Sequence, residues 1–217
     1  MKKGKLIVLE GTDCSGKETQ SNLLKDKLIK DGYKVFKTSF PMYDTPTGKI
    51  VGGPLLGKSY ICESWFNDAP NLDPLVTSCY FAADRKFNIN IIIDYLNKGY
   101  IVLLDRYVES NMAFQGGKEE NKNNRLKLYK KIDELEFGIM ELPRPDKIIF
   151  LYMPYKQACI LKAKRNETPD VVEKSELYLK RGEKAYLELA KLYHYDQVNC
   201  TNKDNIRSIE NINDEVY

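Results

Sequence analysis

The stretch GTDCSGKETQ, residues 11–20, constrains this chain more than any other. It follows a short branched apolar run, KLIVLE (5–10), that reads as a buried parallel strand. It precedes a helical pattern over residues 16–30, with Leu23, Leu24, Leu28 and Ile29 apolar and Asp31-Gly32 as the stop. Between strand and helix, the spacing Gly11-x-x-x-x-Gly16-Lys17 lets the backbone wrap so that its N–H groups face inward. Thr12, Asp13, Cys14 and Ser15 fill the loop, and Thr19 lies in the first turn of the helix. Inward amides, a helix N-terminus and the Lys17 ammonium together make an anion site suited to nucleotide phosphates. An ordinary glycine turn is the alternative, and the strand–loop–helix context favours the phosphate loop.

One position departs from this pattern. Glu18 stands where a hydroxyl normally coordinates magnesium. A carboxylate is a good ligand for a hard cation, but it is longer and brings negative charge towards the phosphates. Either Glu18 binds the metal, or it turns outward and leaves the ion to phosphates, water and other carboxylates. Thr19 does not substitute, because one step along a helix rotates a side chain by roughly 100°.

Downstream, strands alternate with helices. YKVFKTSF (33–40), YIVLLD (100–105), KIIFLYM (147–153) and a last run near DQVNC (196–200) read as strands. One long helix or two follow Asp73, a suitable N-cap, with Pro74 in the first turn and Gly99 as the end. Residues 123–142, a stretch from about Pro154, and residues 175–192 are also helical in pattern. The Asn-rich end is expected to form a terminal helix that frays. This alternation implies a parallel sheet covered on both faces, in a single α/β domain spanning residues 1–217.

Composition excludes several classes. The formal charge is +3, and no stretch concentrates one sign as a nucleic-acid or membrane-binding arm would. Apolar runs such as NIIIDYL are far shorter than the roughly 20 residues a membrane span needs, and the apolar stretch near the N-terminus is too short for a signal peptide. The five cysteines, Cys14, Cys62, Cys79, Cys159 and Cys200, lack zinc or redox spacing and suit a reducing, cytoplasmic setting. The single histidine, His194, builds neither a triad nor a multi-histidine metal site.

Four further stretches fall beside the C-terminal ends of predicted strands, where open parallel sheets bind ligands. They are FPMYDTPTG, YFAADRKFN, DRYVESNMAFQGG and KRNETPDVVEK. With the phosphate loop, and in this order over nearly the whole chain, they resemble the thymidylate kinase family. The resemblance implies a P-loop kinase fold, a three-layer α/β/α sandwich on a central parallel sheet of about five strands. It implies magnesium-dependent transfer of the ATP γ-phosphate to dTMP, and a homodimer. By position, Phe81 would stack on thymine and Arg85 would hydrogen-bond it. Phe40 and Pro41 would wall the base, and Tyr43 would lie near the substrate phosphate. Asp105 would organise metal-bound water and Arg106 would grip the acceptor phosphate. Asp13 would lie near the sugar 3′-hydroxyl and the metal. Phe114 would exclude a ribose 2′-hydroxyl, with Ser110, Asn111 and Gln115 lining the same pocket. A lid is expected around residues 164–176, with Arg165 as its cation.

Cys14 follows Asp13 where some members carry a basic residue, and the lid stretch holds Arg165 as its one arginine. With Glu18, this makes a nucleotide site less cationic than the family pattern. Three readings stay open: a working thymidylate kinase, a relative that binds or senses nucleotide with little transfer, and a kinase for another deoxynucleotide or a deoxynucleoside.

Overall fold

The computed structural model describes residues 3–164 and 168–217. Five parallel strands form the central sheet: β1 (Lys5–Gly11), β2 (Val35–Ser39), β3 (Ile101–Asp105), β4 (Lys147–Tyr152) and β5 (Asp196–Asn199), in the order β2-β3-β1-β4-β5. Alternation along each strand sends side chains to opposite faces. Leu6, Val8, Val102, Leu104 and Phe150 join one core, and Leu9, Leu103, Ile149 and Leu151 join the other.

The first core is covered by α3 (Pro74–Asn97), α4 (Val108–Gly116), α5 (Lys122–Asp133) and α7 (Glu176–Leu192), through residues such as Ile92, Met112, Ile132 and Leu189. The second is covered by α1 (Lys17–Lys30), α6 (Tyr155–Lys162) and α8 (Ile209–Val216), through Leu24, Ala158 and Ile212. The result is the expected three-layer α/β/α sandwich. A short α2 (Pro46–Ile50) and a wide turn, Val51–Leu55, lie between β2 and α3, in a segment that showed no period in the sequence.

The long pattern after Asp73 is one helix, and Asp73 Oδ1 accepts from the N–H groups of Leu75 and Val76 at 2.9 Å. α4, which sequence pattern did not reveal, begins two residues after Arg106. The chain leaves β1 towards one edge of the sheet and later leaves β3 towards the other edge. This reversal opens a crevice between the C-terminal ends of β1 and β3, the usual ligand site of such sheets.

The C-terminal helix does not fray as expected. Ser208 caps it, Ile212 and Val216 are buried, and Asn213 Nδ2 donates to Gln20 Oε1 at 3.0 Å. Gln20 Nε2 in turn donates to the Ile209 carbonyl at 3.0 Å. Composition hid this docking because its partners lie on α1, close behind the phosphate loop. Ile212→Ala is therefore expected to lower stability by about 2–4 kcal/mol in urea denaturation. A loose tail would show a change near zero.

Candidate functional site

The crevice holds a cavity of about 520 Å³, within the range of nucleotide-sized pockets. Residues 13–14 and 16–19 of the phosphate loop contribute to its wall. Gly11 and Ser15 are buried beneath it; a Cβ at Gly11 would lie 2.5 Å from Ser15 Oγ and 2.7 Å from the Leu151 carbonyl, so only glycine fits this turn. Gly16 has φ +84°, a conformation glycine adopts without steric cost. Thr12 faces inward and donates to the Met153 carbonyl at 3.3 Å. Lys17 Nζ folds over the loop and donates to the Thr12 carbonyl at 2.8 Å. Burial, with Arg106 close by, pushes the Lys17 pKa down to about 8. Glu18 and Thr19 are exposed at the cavity edge.

Across the crevice, the turn from β3 into α4 brings Asp105, Arg106 and Ser110 to the same cavity. Arg106 has φ +68°, a left-handed conformation that costs a non-glycine residue about 1–3 kcal/mol and needs strong support. Its amide donates to the Leu9 carbonyl at 3.1 Å. Its guanidinium pairs with Asp13 and donates to the Gly11 carbonyl at 3.3 Å and to Ser110 Oγ at 3.1 Å. It also lies over the Phe114 ring, 5.4 Å from the centroid. Burial alone would weaken its charge, but Asp13, Tyr186, Glu10 and Asp105 together outweigh it and hold its pKa above the usual arginine value.

Glu10 supports this turn, and the sequence reading used it only as the end of a strand. Its carboxylate is fully buried and accepts from the amides of Tyr107 (2.8 Å) and Ser110 (3.1 Å). It also accepts from Ser110 Oγ and the Tyr186 hydroxyl, both at 2.7 Å. An acid closing an apolar strand was the available signal; its partner on α7 was not visible.

Phe81 and Arg85, one turn apart on α3, both reach the cavity, together with Phe40, Pro41 and Tyr43. Arg85 is clamped bidentately on the buried Glu136, with Nη2 at 2.7 Å from Oε1. Asn111 Nδ2 donates to the same carboxylate at 2.7 Å, while its Oδ1 is buried and accepts no hydrogen bond within the described residues. Asp84, between Ala83 and Arg85 in the quoted motif, accepts from the Met42 amide at 3.0 Å and from Thr47 Oγ1 at 2.9 Å. It thus fixes the turn that carries Tyr43.

Phe114 stacks on Tyr178 with centroids 5.4 Å apart, and Gly182 on α7 leaves room for its ring. Gln115 lines the cavity beside it. Glu136, Tyr178, Tyr186 and Lys58 were missed in the sequence. Each meets its partners across distant segments, with no local motif to mark it. Asp170 lies in the quoted stretch KRNETPDVVEK, but its partner Lys58 was not visible.

Among the described residues, no group of three or more His, Cys, Asp or Glu side chains is placed to hold a metal ion. Asp13 and Asp105 nevertheless both reach this cavity, which suits an ion that takes its remaining ligands from phosphates and water. Arg165 lies outside the described residues. His194 is exposed, Cys62, Cys79, Cys159 and Cys200 are free thiols, and no helix among the described residues is long and apolar enough to cross a membrane.

Comparison with known proteins agrees with this geometry. The sequence model of the family "Thymidylate kinase" matches residues 9–215. The chain is 29% identical to the thymidylate kinase of Schizosaccharomyces pombe over 214 residues, covering 99% of this chain and 90% of that one. It is 31% identical to a probable thymidylate kinase of Pyrococcus horikoshii over 215 residues, covering 99% and 94%. The solved structure of thymidylate kinase from Candida albicans is similar with a TM-score of 0.73 at 26% identity, over 99% of this chain and 89% of that one. With a phosphate loop and an Asp-Arg-Tyr turn meeting over one cavity, and a family match along nearly its whole length, this chain belongs to the thymidylate kinase family.

Proposed function

We propose that this protein transfers the γ-phosphoryl group of ATP to the 5′-phosphate of dTMP, giving dTDP and ADP. The observation that carries the reading is that one cavity joins two cations, Lys17 and Arg106, to an aromatic and polar set, Phe81, Arg85 and Asn111, suited to reading a base.

The loop amides and Lys17 hold the phosphates of ATP. Phe81 stacks on the base. Arg85 donates to a carbonyl of thymine, with Asn111 beside it on the same Glu136 carboxylate. Cytosine presents an amine where thymine presents that carbonyl, so dCMP would set donor against donor there. Phe40 and Pro41 wall the base, and Tyr43 stands near the acceptor phosphate. Phe114, held by Tyr178, excludes a ribose 2′-hydroxyl, with Ser110 and Gln115 beside it.

An acceptor phosphate oxygen forms the new bond to the γ-phosphorus as the bond to the β–γ bridging oxygen breaks. That acceptor oxygen is already ionised, so no strong general base is needed. Arg106 stands against the repulsion between the two anions and stabilises charge spread over the transferring group. Asp105 and Asp13 are the residues that would hold magnesium, with Glu18 turned outward. When bound, the ion neutralises charge on the triphosphate. A cytoplasmic location and a homodimer complete the proposal. The free thiols of Cys62, Cys79, Cys159 and Cys200 support the first; exposed Phe87 and Ile91, one turn apart on α3, support the second.

Three outcomes follow. In a panel of dTMP, dUMP, dCMP, UMP and thymidine with ATP and magnesium, dTMP is the preferred acceptor; tight dTMP binding without turnover would identify a nucleotide-binding relative instead. Lys17→Ala and Arg106→Ala each lower kcat by about 10²–10³-fold with an unchanged circular-dichroism spectrum.

The pH dependence follows from the Lys17 pKa of about 8 in the free protein. A bound phosphate favours the charged ammonium and raises that pKa. ATP binding therefore takes up protons near pH 9, and affinity falls as pH rises through about 8, above the phosphate's own ionisation near pH 6. Calorimetry in buffers of different ionisation enthalpy measures the uptake, and Lys17→Ala abolishes it.

A further inference from the structure

We propose that Lys58 is a second cation for the phosphate of the acceptor nucleotide, held at rest by Asp170; this rests on the phosphoryl-transfer reading above. Among the described residues, the cavity lining carries Lys17, Lys58, Arg85 and Arg106. Arg85 is committed to Glu136, Lys17 belongs to the phosphate loop, and Arg106 already shares its charge with Asp13. The same lining carries five carboxylates, Asp13, Glu18, Asp105, Asp170 and Glu173. A nucleoside monophosphate, close to a dianion at neutral pH, entering this lining needs more than Arg106 to offset that charge.

Lys58 follows the wide turn 51–55 and Gly57, whose φ of +65° bends the chain back to the cavity. Its Nζ lies 3.1 Å from Asp170 Oδ2 and 5.2 Å from the centroid of the Tyr43 ring. Asp170 is buried, and its other oxygen accepts from the amides of Val172 (3.1 Å) and Glu173 (3.0 Å). The Val171 amide donates to the Leu56 carbonyl at 3.1 Å. The ion pair therefore lies where the segment after the wide turn meets the segment before α7, on the lining of the cavity. A phosphate carrying up to two negative charges competes with the single Asp170 carboxylate for the flexible Lys58 ammonium. The exchange moves Lys58 from protein to substrate while Asp170 keeps its backbone bonds. A pair that merely fastens the two segments would act the same way whether or not the ligand carries a phosphate.

The test is calorimetric titration of the whole protein with dTMP and, separately, with thymidine, without ATP. Lys58→Gln weakens dTMP binding by about tenfold, the scale of one charge-assisted hydrogen bond, and leaves thymidine binding unchanged. Lys58→Arg restores most of the loss. Asp170→Asn, which keeps an oxygen for the two amides but removes the competing charge, tightens dTMP binding by about threefold, as expected for a partly screened pair. Equal weakening of both ligands by Lys58→Gln, no effect on either, or weaker dTMP binding in Asp170→Asn overturns the role of Lys58. Wild-type protein that does not prefer dTMP to thymidine overturns the acceptor reading itself.

Discussion

The site depends on one buried carboxylate. Glu10 closes β1 where the phosphate loop begins, and it collects two backbone amides and two hydroxyls. One amide belongs to the turn after β3 and the other to the first turn of α4, and one hydroxyl belongs to α7. A charge withdrawn from water is tolerated only where its acceptor sites are filled, and here they are. In filling them, Glu10 sets the turn that holds Arg106 in a left-handed conformation opposite the loop. The two walls of the crevice are thus fixed relative to each other by hydrogen bonds that no ligand has to form.

That preorganisation has an electrostatic counterpart. Arg85 faces Glu136, Arg106 faces Asp13, and Lys58 faces Asp170. Lys17, without a carboxylate in direct contact among the described residues, has the pKa that falls, because burial and Arg106 both oppose its charge. The same proximity of two cations that disfavours the free protein favours an anion between them. Glu109 shows the opposite case in the first turn of α4: burial and nearby Glu10 push its pKa up to about 8, which favours its neutral form. A neutral carboxyl lets Glu10 and Glu136 keep their roles without a third buried charge.

How much of this was legible in the sequence depended on how local each signal was. The phosphate loop was legible because its glycines, lysine, strand and helix are contiguous, and each glycine answers a local need. Phe81 and Arg85 were singled out by the family resemblance, and their spacing of one helical turn puts both on one face of α3. Arg85's partner Glu136 stands 51 positions away, and Tyr186 stands 176 positions from Glu10. No periodicity reports such contacts. α4 escaped because its residues are buried almost all round, which erases the polar face that marks a surface helix. Residues 42–72, which bring Lys58 to the cavity, use wide and short turns with no repeat to read. The C-terminal helix was misjudged because the Asn213 contact to Gln20 outweighs a polar composition.

The central claim is that both nucleotides lie end to end in one cleft, with Lys17 and Arg106 on either side of the transferred group. A thymidine and an adenosine joined through their 5′ carbons by a chain of phosphates tests it most directly. If the claim holds, this linked compound binds far more tightly than dTMP or ATP alone, displaces both, and loses its advantage in Arg106→Ala. A compound that binds no better than one of its halves, or displaces one nucleotide while the other stays bound, would contradict the shared cleft.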